Sequence, residues 1–453
     1  MADVKQLHTR FLFPFFFDRG RWGEMEVALG SDWKRQEPPR LYREELLQHA
    51  KSFLFEDIAY FRFSDPDRLF PKSLTAALAN SVIVPVKIPR GGGVELFLTQ
   101  QGVGILAIML SPGDVPTAVA LDFNYRLARK SSAPPAKLSV SDAADEAFTL
   151  GDVADRLLES LMAFGVRHLQ SQFSVYTVAS FDDKVVLDDA ACVAWAGPFL
   201  SGLAQIEEAT HAGARAGAVD VPNRLMNRCH WAAVGVLGAA HVIADQPPPS
   251  WADFLPFNNE RIYRVRDKYF VPYVLALVQR LVLIRIAEQA TELMRSGDGR
   301  GLRELRMDLL KFGVGGRFSQ VSSRQALHRY YRLVQEGLDV RDAWTDVRNA
   351  LADLDALNLA SNIANNLGVI TRVQHAAHAL EYVIISVYCA HLWHMFAAEN
   401  KGLHEIVLQA LAPVLPEGRT LPHDWFVAWG VLFFAGLGWA SAYLYNHRRA
   451  RQE

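Results

Sequence analysis

The segment that most constrains the fold is Trp425 to Tyr445, which carries no formally charged side chain over about 20 residues, the length that crosses the hydrocarbon core of a bilayer. Trp425, Trp429, Tyr443 and Tyr445 lie toward its ends, where interfacial aromatics belong, and Gly438 with Ala442 gives a small-residue pair for close helix packing. A second apolar segment precedes it. From Asp339 to Ala398 there is no proline and Gly368 is the only glycine, so one helix of about 60 residues is expected, on the order of 90 Å long at ~1.5 Å per residue. Its last part, Tyr382 to Ala398, is apolar apart from His391 and His394, and Glu381 is the only formal charge between Val373 and Ala398. The two segments predict a transmembrane hairpin over 381–398 and 425–446, joined by an external loop, 399–424.

Flanking charge orients the hairpin. His447, Arg448, Arg449 and Arg451 follow the second span, whereas the loop holds only Lys401 and Arg419 as basic residues. The positive-inside tendency then places the tail 447–453 in the cytoplasm, and two spans return the N-terminal part to the same side. The expectation is a multi-pass inner-membrane protein with both termini cytoplasmic. Three widely spaced cysteines, Cys192, Cys229 and Cys389, fit a reducing compartment. A net charge of -2 argues against direct nucleic-acid binding.

The N-terminal part reads as an α+β cytosolic domain, 1–255. Phe11 to Phe17 contains Pro14 and is followed by Asp18 and Arg19, so it predicts a buried strand rather than a signal-peptide core. Val82 to Ile88, Val94 to Leu98, Gly104 to Leu110, Ala118 to Tyr125, Phe173 to Ala179 and Trp231 to Val236 are also strand-like, with Gly91, Gly92 and Gly93 as a turn between the first two. Helical patterns fall at Val153 to Phe164 and Ala190 to Ala209, and the polar loop Lys130 to Asp145 divides two lobes. After the proline-rich break at Pro247 to Pro249 the period becomes helical, giving a helical region, 256–338. Here Val271, Val274, Leu277, Val278 and Leu281 mark one helix, and Ser322 with Gln325 forms a capping-box pattern for another. The next segment, 339–380, is expected to be a stalk helix.

Along the stalk, Trp344, Val347, Leu351 and Leu354 form an apolar seam at three- and four-residue steps. The same steps continue through Asn358, Ser361, Asn365, Gly368, Arg372 and His375. Around a symmetric axis, Asn358, Ser361, Asn365, Arg372 and His375 are the candidate pore-lining residues. His375, His378 and Glu381 recur every third residue and are the candidate ligands of a divalent cation, since imidazole and carboxylate suit a borderline metal. The paired acids Asp182, Asp183, Asp188 and Asp189 have the chemistry to hold a regulatory cation in the cytosolic domain, but solvated turns explain them better. Neither a phosphate loop, a Gly-x-Ser-x-Gly elbow, His-Glu-x-x-His nor CxxC occurs, so no enzyme is expected.

The layout of a cytosolic domain, a long helix running into one span, a second span and a basic tail resembles the CorA superfamily of divalent-cation channels. The resemblance implies a homopentameric funnel whose long helix lines the pore. The family's Gly-Met-Asn loop is absent: the place after the first span reads Ala397, Ala398, Glu399, Asn400, Lys401, Gly402, so its hydrated-magnesium filter is carried over to no residue. The expected function is a homo-oligomeric ion channel or transporter gated through its cytosolic domain, with a small-molecule or nucleotide ligand on that domain. The alternatives are a signal-activated membrane effector of bacterial antiphage defence and a non-conducting, membrane-anchored binding protein.

Overall fold

The computed structural model describes residues 3–37, 46–70, 74–78, 82–89, 93–129, 137–140, 143–169, 172–181, 195–208, 221–227, 230–244, 257–316, 320–399 and 423–449, with four positions between 402 and 409. It shows an N-terminal α/β sheet unit followed by long helices. Two compact units are present, Met1–Leu354 and Asp355–Glu453.

The sheet is built around β1 (Asp3–Phe16), the strand expected from the phenylalanine run. Its other principal strands are β2 (Ile58–Phe63), β3 (Ile83–Lys87), β4 (Val94–Thr99), β5 (Val103–Pro112), β6 (Ser174–Phe181), β7 (His230–Val234) and β8 (Gly238–Ala244). Across the sheet the order runs β3-β5-β1-β6-β8-β7, with β4 on the outer edge of β5 and β2 beyond β4. All these pairs are antiparallel except β6 with β8. The strands flanking the glycine triplet, β3 and β4, do not pair with each other; both pair with β5. Between β7 and β8 the chain turns through Val236 and Leu237, closed by reciprocal backbone bonds between Gly235 and Gly238. A Cβ on Gly238 would sit 2.5 Å from the Val175 carbonyl oxygen, so the close approach of β6 requires glycine there.

The alternation of β1 divides the core in two. Phe11, Phe13, Phe15 and Phe17 enter one cluster, covered by α1 (Thr117–Leu127), α2 (Leu150–Leu158) and α3 (Gly197–Gln205). Leu12 and Phe16 enter the other, covered by α4 (Phe257–Lys268), α5 (Phe270–Ser296), α6 (Gly299–Gly315) and α7 (Gln325–Gly337). Helices on both faces explain why central strands read as unbroken apolar runs. The boundary near residue 255 thus marks where strands give way to helices, while the compact unit itself continues to Leu354.

Several local expectations change. Ala118 to Tyr125, expected as a strand, is α1, because Ala120, Leu121, Phe123, Asn124 and Leu127 are buried at helical spacing while Asp122 and Arg126 leave the core. Within the polar stretch 130–145 the chain forms strand Lys137–Val140 and begins strand Ala143–Phe148, which pair antiparallel. The Ser322–Gln325 capping box is not formed. Arg324 is the N-cap of α7, and the Ser322 hydroxyl accepts from the Arg324 backbone N–H at 3.1 Å. The acidic cluster at 182–189 lies outside the described residues.

By length and composition, one helical stretch among the described residues is apolar enough to cross a membrane: Ile262–Ser296, whose most apolar 18-residue window has a mean hydropathy of 1.8. Its apolar window is 78% buried, with Val271, Val274, Leu277, Val278 and Leu281 in the second core, so it serves as the central helix of the sheet unit. The long helix is present as α8 (Val340–Glu399, 60 residues), and α9 (His423–Arg449) contains the shorter apolar segment Ala428–Ser441.

Candidate functional site

Within the second unit, α8 and α9 pack as an antiparallel pair. Their seam is set by small residues on α9 spaced eight apart. A Cβ on Gly438 would collide with Ser386, and one on Gly430 would collide with the Trp393 indole. Moving up one helix by seven residues moves down the other by eight, as opposed helices require. Trp393 also meets Phe434 at 5.8 Å between ring centroids, and Ala390 is buried between the two seats. The Ser386 hydroxyl donates to the Tyr382 carbonyl at 2.7 Å, so the one polar side chain at the glycine seat is satisfied within its own helix.

Around the seam the described outer residues are apolar apart from His391 and His394, which are also exposed. On α8, Tyr382, Val383, Ile384, Ile385, Val387 and Tyr388 are all exposed, although residues this close in sequence point in every direction around a helix. On α9, Trp425, Trp429, Leu432, Phe433, Leu437 and Trp439 are exposed too. The apolar residues of α5 are buried in the sheet unit's core, whereas these residues of α8 and α9 are exposed.

The predicted site residues divide into three groups. Asn358, Ser361 and Asn365 lie on α8, with side chains outside the described set. Arg372 is exposed and His375 half-buried on the same helix. His378 and Glu381 come together, Nδ1 to Oε2 at 3.2 Å, on an exposed face. No group of three His, Cys, Asp or Glu side chains converges among the described residues, so within one chain the expected cation ligands reduce to this pair. The lower, apolar part of the seam has a different role from the expected one. Trp344, Val347 and Leu351 are buried in the second core of their own sheet unit, with Leu354 packed at its edge.

A buried charge network escaped the sequence analysis. Arg10, 4% exposed on β1, pairs with Glu95 at 3.4 Å and Asp267 at 2.8 Å, donates to the Arg266 carbonyl and lies 4.2 Å from the Phe270 ring centre. Glu95 accepts from the Tyr60 hydroxyl at 2.5 Å and lies 3.7 Å from Arg62. Burial, then the Glu95 carboxylate, pushes the Tyr60 hydroxyl well above its usual range. Burial alone would raise Asp267, but hydrogen bonds and charge from Arg266 and Arg10 outweigh it and hold the carboxyl low. The signal was available: His8 and Arg10 alternate on β1 with the apolar residues that face the opposite core.

Comparison of the chain with protein-family models, with curated proteins and with solved structures finds no match. The first unit joins sheet to helices through buried ion pairs, and the second presents an apolar helix pair to its surroundings.

Proposed function

We propose that the α8–α9 hairpin crosses a lipid bilayer and that copies of the chain assemble around an axis to conduct ions, gated through the sheet unit. One observation carries the membrane part: consecutive exposed apolar residues encircle the upper part of α8 and continue on α9, around a seam closed by Gly430 and Gly438. In water such a surface costs roughly 25 cal/mol for each Å² exposed, whereas lipid tails match it. The exposed Trp425 and Tyr443 stand near opposite ends of α9, as interfacial anchors would. Covalent continuity of α8, which contributes Trp344 to the sheet unit's core and Ser386 to the hairpin seam, supports gating by the N-terminal unit.

A second reading, a membrane-anchored and non-conducting binding protein, is favoured by the burial of Trp344, Val347 and Leu351 in their own chain. That burial removes the apolar half of the seam from any oligomer axis. One experiment separates the two. The purified full chain is reconstituted into liposomes, its resistance to alkaline carbonate extraction is measured, and efflux of an entrapped fluorescent ion indicator's cation is followed. Extraction by carbonate removes the hairpin reading. Retention with flux supports the channel, and retention without flux supports the anchor.

A further inference from the structure

The sheet unit holds a cleft of about 660 Å³ beside the buried charge network. His8 of β1 and Ser111 of β5 form its polar floor, Lys87 of β3 and Arg266 of α4 supply cations, and Asp67 stands on the same rim. Val86, Ile88 and the Tyr263 ring give it an apolar wall, and the volume suits a small organic molecule.

His8 is the residue with unspent bonding capacity. Its Nδ1 meets the Ser111 hydroxyl at 2.5 Å, and its Nε2 is buried without a partner among the described residues. Burial, then the charges of Arg266 and Arg10, lowers its pKa to about 4, so the ring is neutral near neutral pH. In the tautomer in which the Ser111 hydroxyl donates to Nδ1, the ring's one proton is on Nε2, a donor lacking an acceptor among the described residues. The field at this ring is positive, since each of the two guanidiniums acts on it more strongly than the Asp267 carboxylate does. Arg266 gives Nε and Nη2 to Asp267, which leaves Nη1, and its guanidinium lies 4.7 Å from the Tyr263 ring centre. Lys87 is exposed and has no ion pair among the described residues.

We propose that this cleft binds a small organic anion whose phosphate or carboxylate group accepts from His8 and lies between Lys87 and Arg266, with its apolar body along Val86, Ile88 and Tyr263. Phosphate and carboxylate offer the same acceptor chemistry to this set of donors. Asp67 adds a place for a donor elsewhere on the ligand. The site goes beyond the membrane reading and is independent of it, because binding is read without ion flux.

Pyridoxal 5′-phosphate is a suitable probe, since its aldehyde condenses with a lysine amine, losing water, and borohydride then reduces the imine to a stable amine. The full chain in detergent is treated at low reagent ratio, and the modified lysines are located by peptide mass spectrometry, with inorganic phosphate or citrate as competitor. Lys87 should react about tenfold faster than the exposed Lys34, the preference that one charge-assisted hydrogen bond supplies. Competition by phosphate alone assigns a phosphate ligand, and by citrate alone a carboxylate. His8→Phe keeps an aromatic ring but lacks Nε2–H, and should raise the competitor concentration needed by about tenfold. Equal reactivity of Lys87 and Lys34 without competition overturns the site. Unchanged competition in a folded His8→Phe removes His8 from it.

Discussion

Gly438 and Ser386 occupy one crossing point of the hairpin, where a Cβ built on the glycine would collide with the serine's Cβ and Oγ. Gly436, two residues earlier on α9, has no atom within 4 Å of the same construction. The pair gives a matched test on one helix. Gly438→Leu should destabilise the hairpin by about 1–3 kcal/mol through overpacking, while Gly436→Leu should stay within about 0.5 kcal/mol of the parent. Unfolding of the full chain in mixed micelles measures both. Equal effects would mean that the helices do not meet at Gly438.

The Arg10 network makes a prediction of opposite character. Asp267 keeps two bonds from Arg266 when Arg10 is removed, but Glu95, 5% exposed, keeps only the Tyr60 hydroxyl and the more distant Arg62. Arg10→Met should therefore cost about 3–5 kcal/mol, the price of an uncompensated buried carboxylate. Adding Glu95→Gln should recover part of that loss, since the stranded charge is then gone. Denaturant midpoints of the three variants check this, and a double variant weaker than Arg10→Met would contradict it.

Legibility in the sequence followed periodicity. β1, β6, β7 and the long helices are visible because each holds a continuous run of one period, and Gly438 was read as a packing position from its four-residue spacing to Ala442, whose side chain lies outside the described residues, whereas the seam pairs it with Gly430 eight residues away. Ala118 to Tyr125 misled because its apolar residues satisfy a two-residue step locally and a helical step only when Thr117 and Leu127 are included. The helices after Phe257 looked like a separate region because sequence does not show that Leu12, Ile105 and Tyr176 supply the other half of their core. The seam through Trp344, Val347 and Leu351 was correctly periodic, yet period alone does not tell an intramolecular core from an oligomer axis. The charge network joins residues 10, 95 and 267 across the chain, a convergence that spacing does not encode.

Conduction makes its own demand on α8. If the polar steps from Asn358 to His375 face an axis between subunits, Asn365→Leu presents an apolar ring that blocks flux by dewetting. Flux in liposomes should fall sharply while expression and oligomer size are kept, whereas Asn349→Leu, exposed on the part of α8 that packs with the sheet unit, should change flux little. Parent-like flux in a correctly assembled Asn365→Leu variant would take that residue out of the pore wall.

Acid should loosen the sheet unit through two histidines held neutral by the fold. His8 is lowered from 6.5 to about 4 by burial and then by Arg266 and Arg10, and His241, wholly buried with its Nδ1 2.9 Å from His230 Nε2, is lowered well below 6.5 by burial and then by His230. Tyr176, Tyr269 and Tyr330 pack around His241, so no carboxylate among these neighbours offsets a new positive charge. The unfolded chain takes up protons near pH 6.5 that the folded chain refuses until lower pH. Stability is therefore complete above about pH 6.5 and is lost progressively as pH falls toward 4, with His8 alone contributing on the order of 3 kcal/mol at the bottom of that window. His8→Asn removes this titration, so its stability should decline less steeply than the parent's across the window, with His241 accounting for a remaining slope. Denaturant midpoints measured from about pH 7.5 down to 4.5 distinguish the outcomes. Parallel curves for parent and variant would mean that the His8 imidazole is reached by solvent and protonates in the folded chain as readily as in the unfolded one.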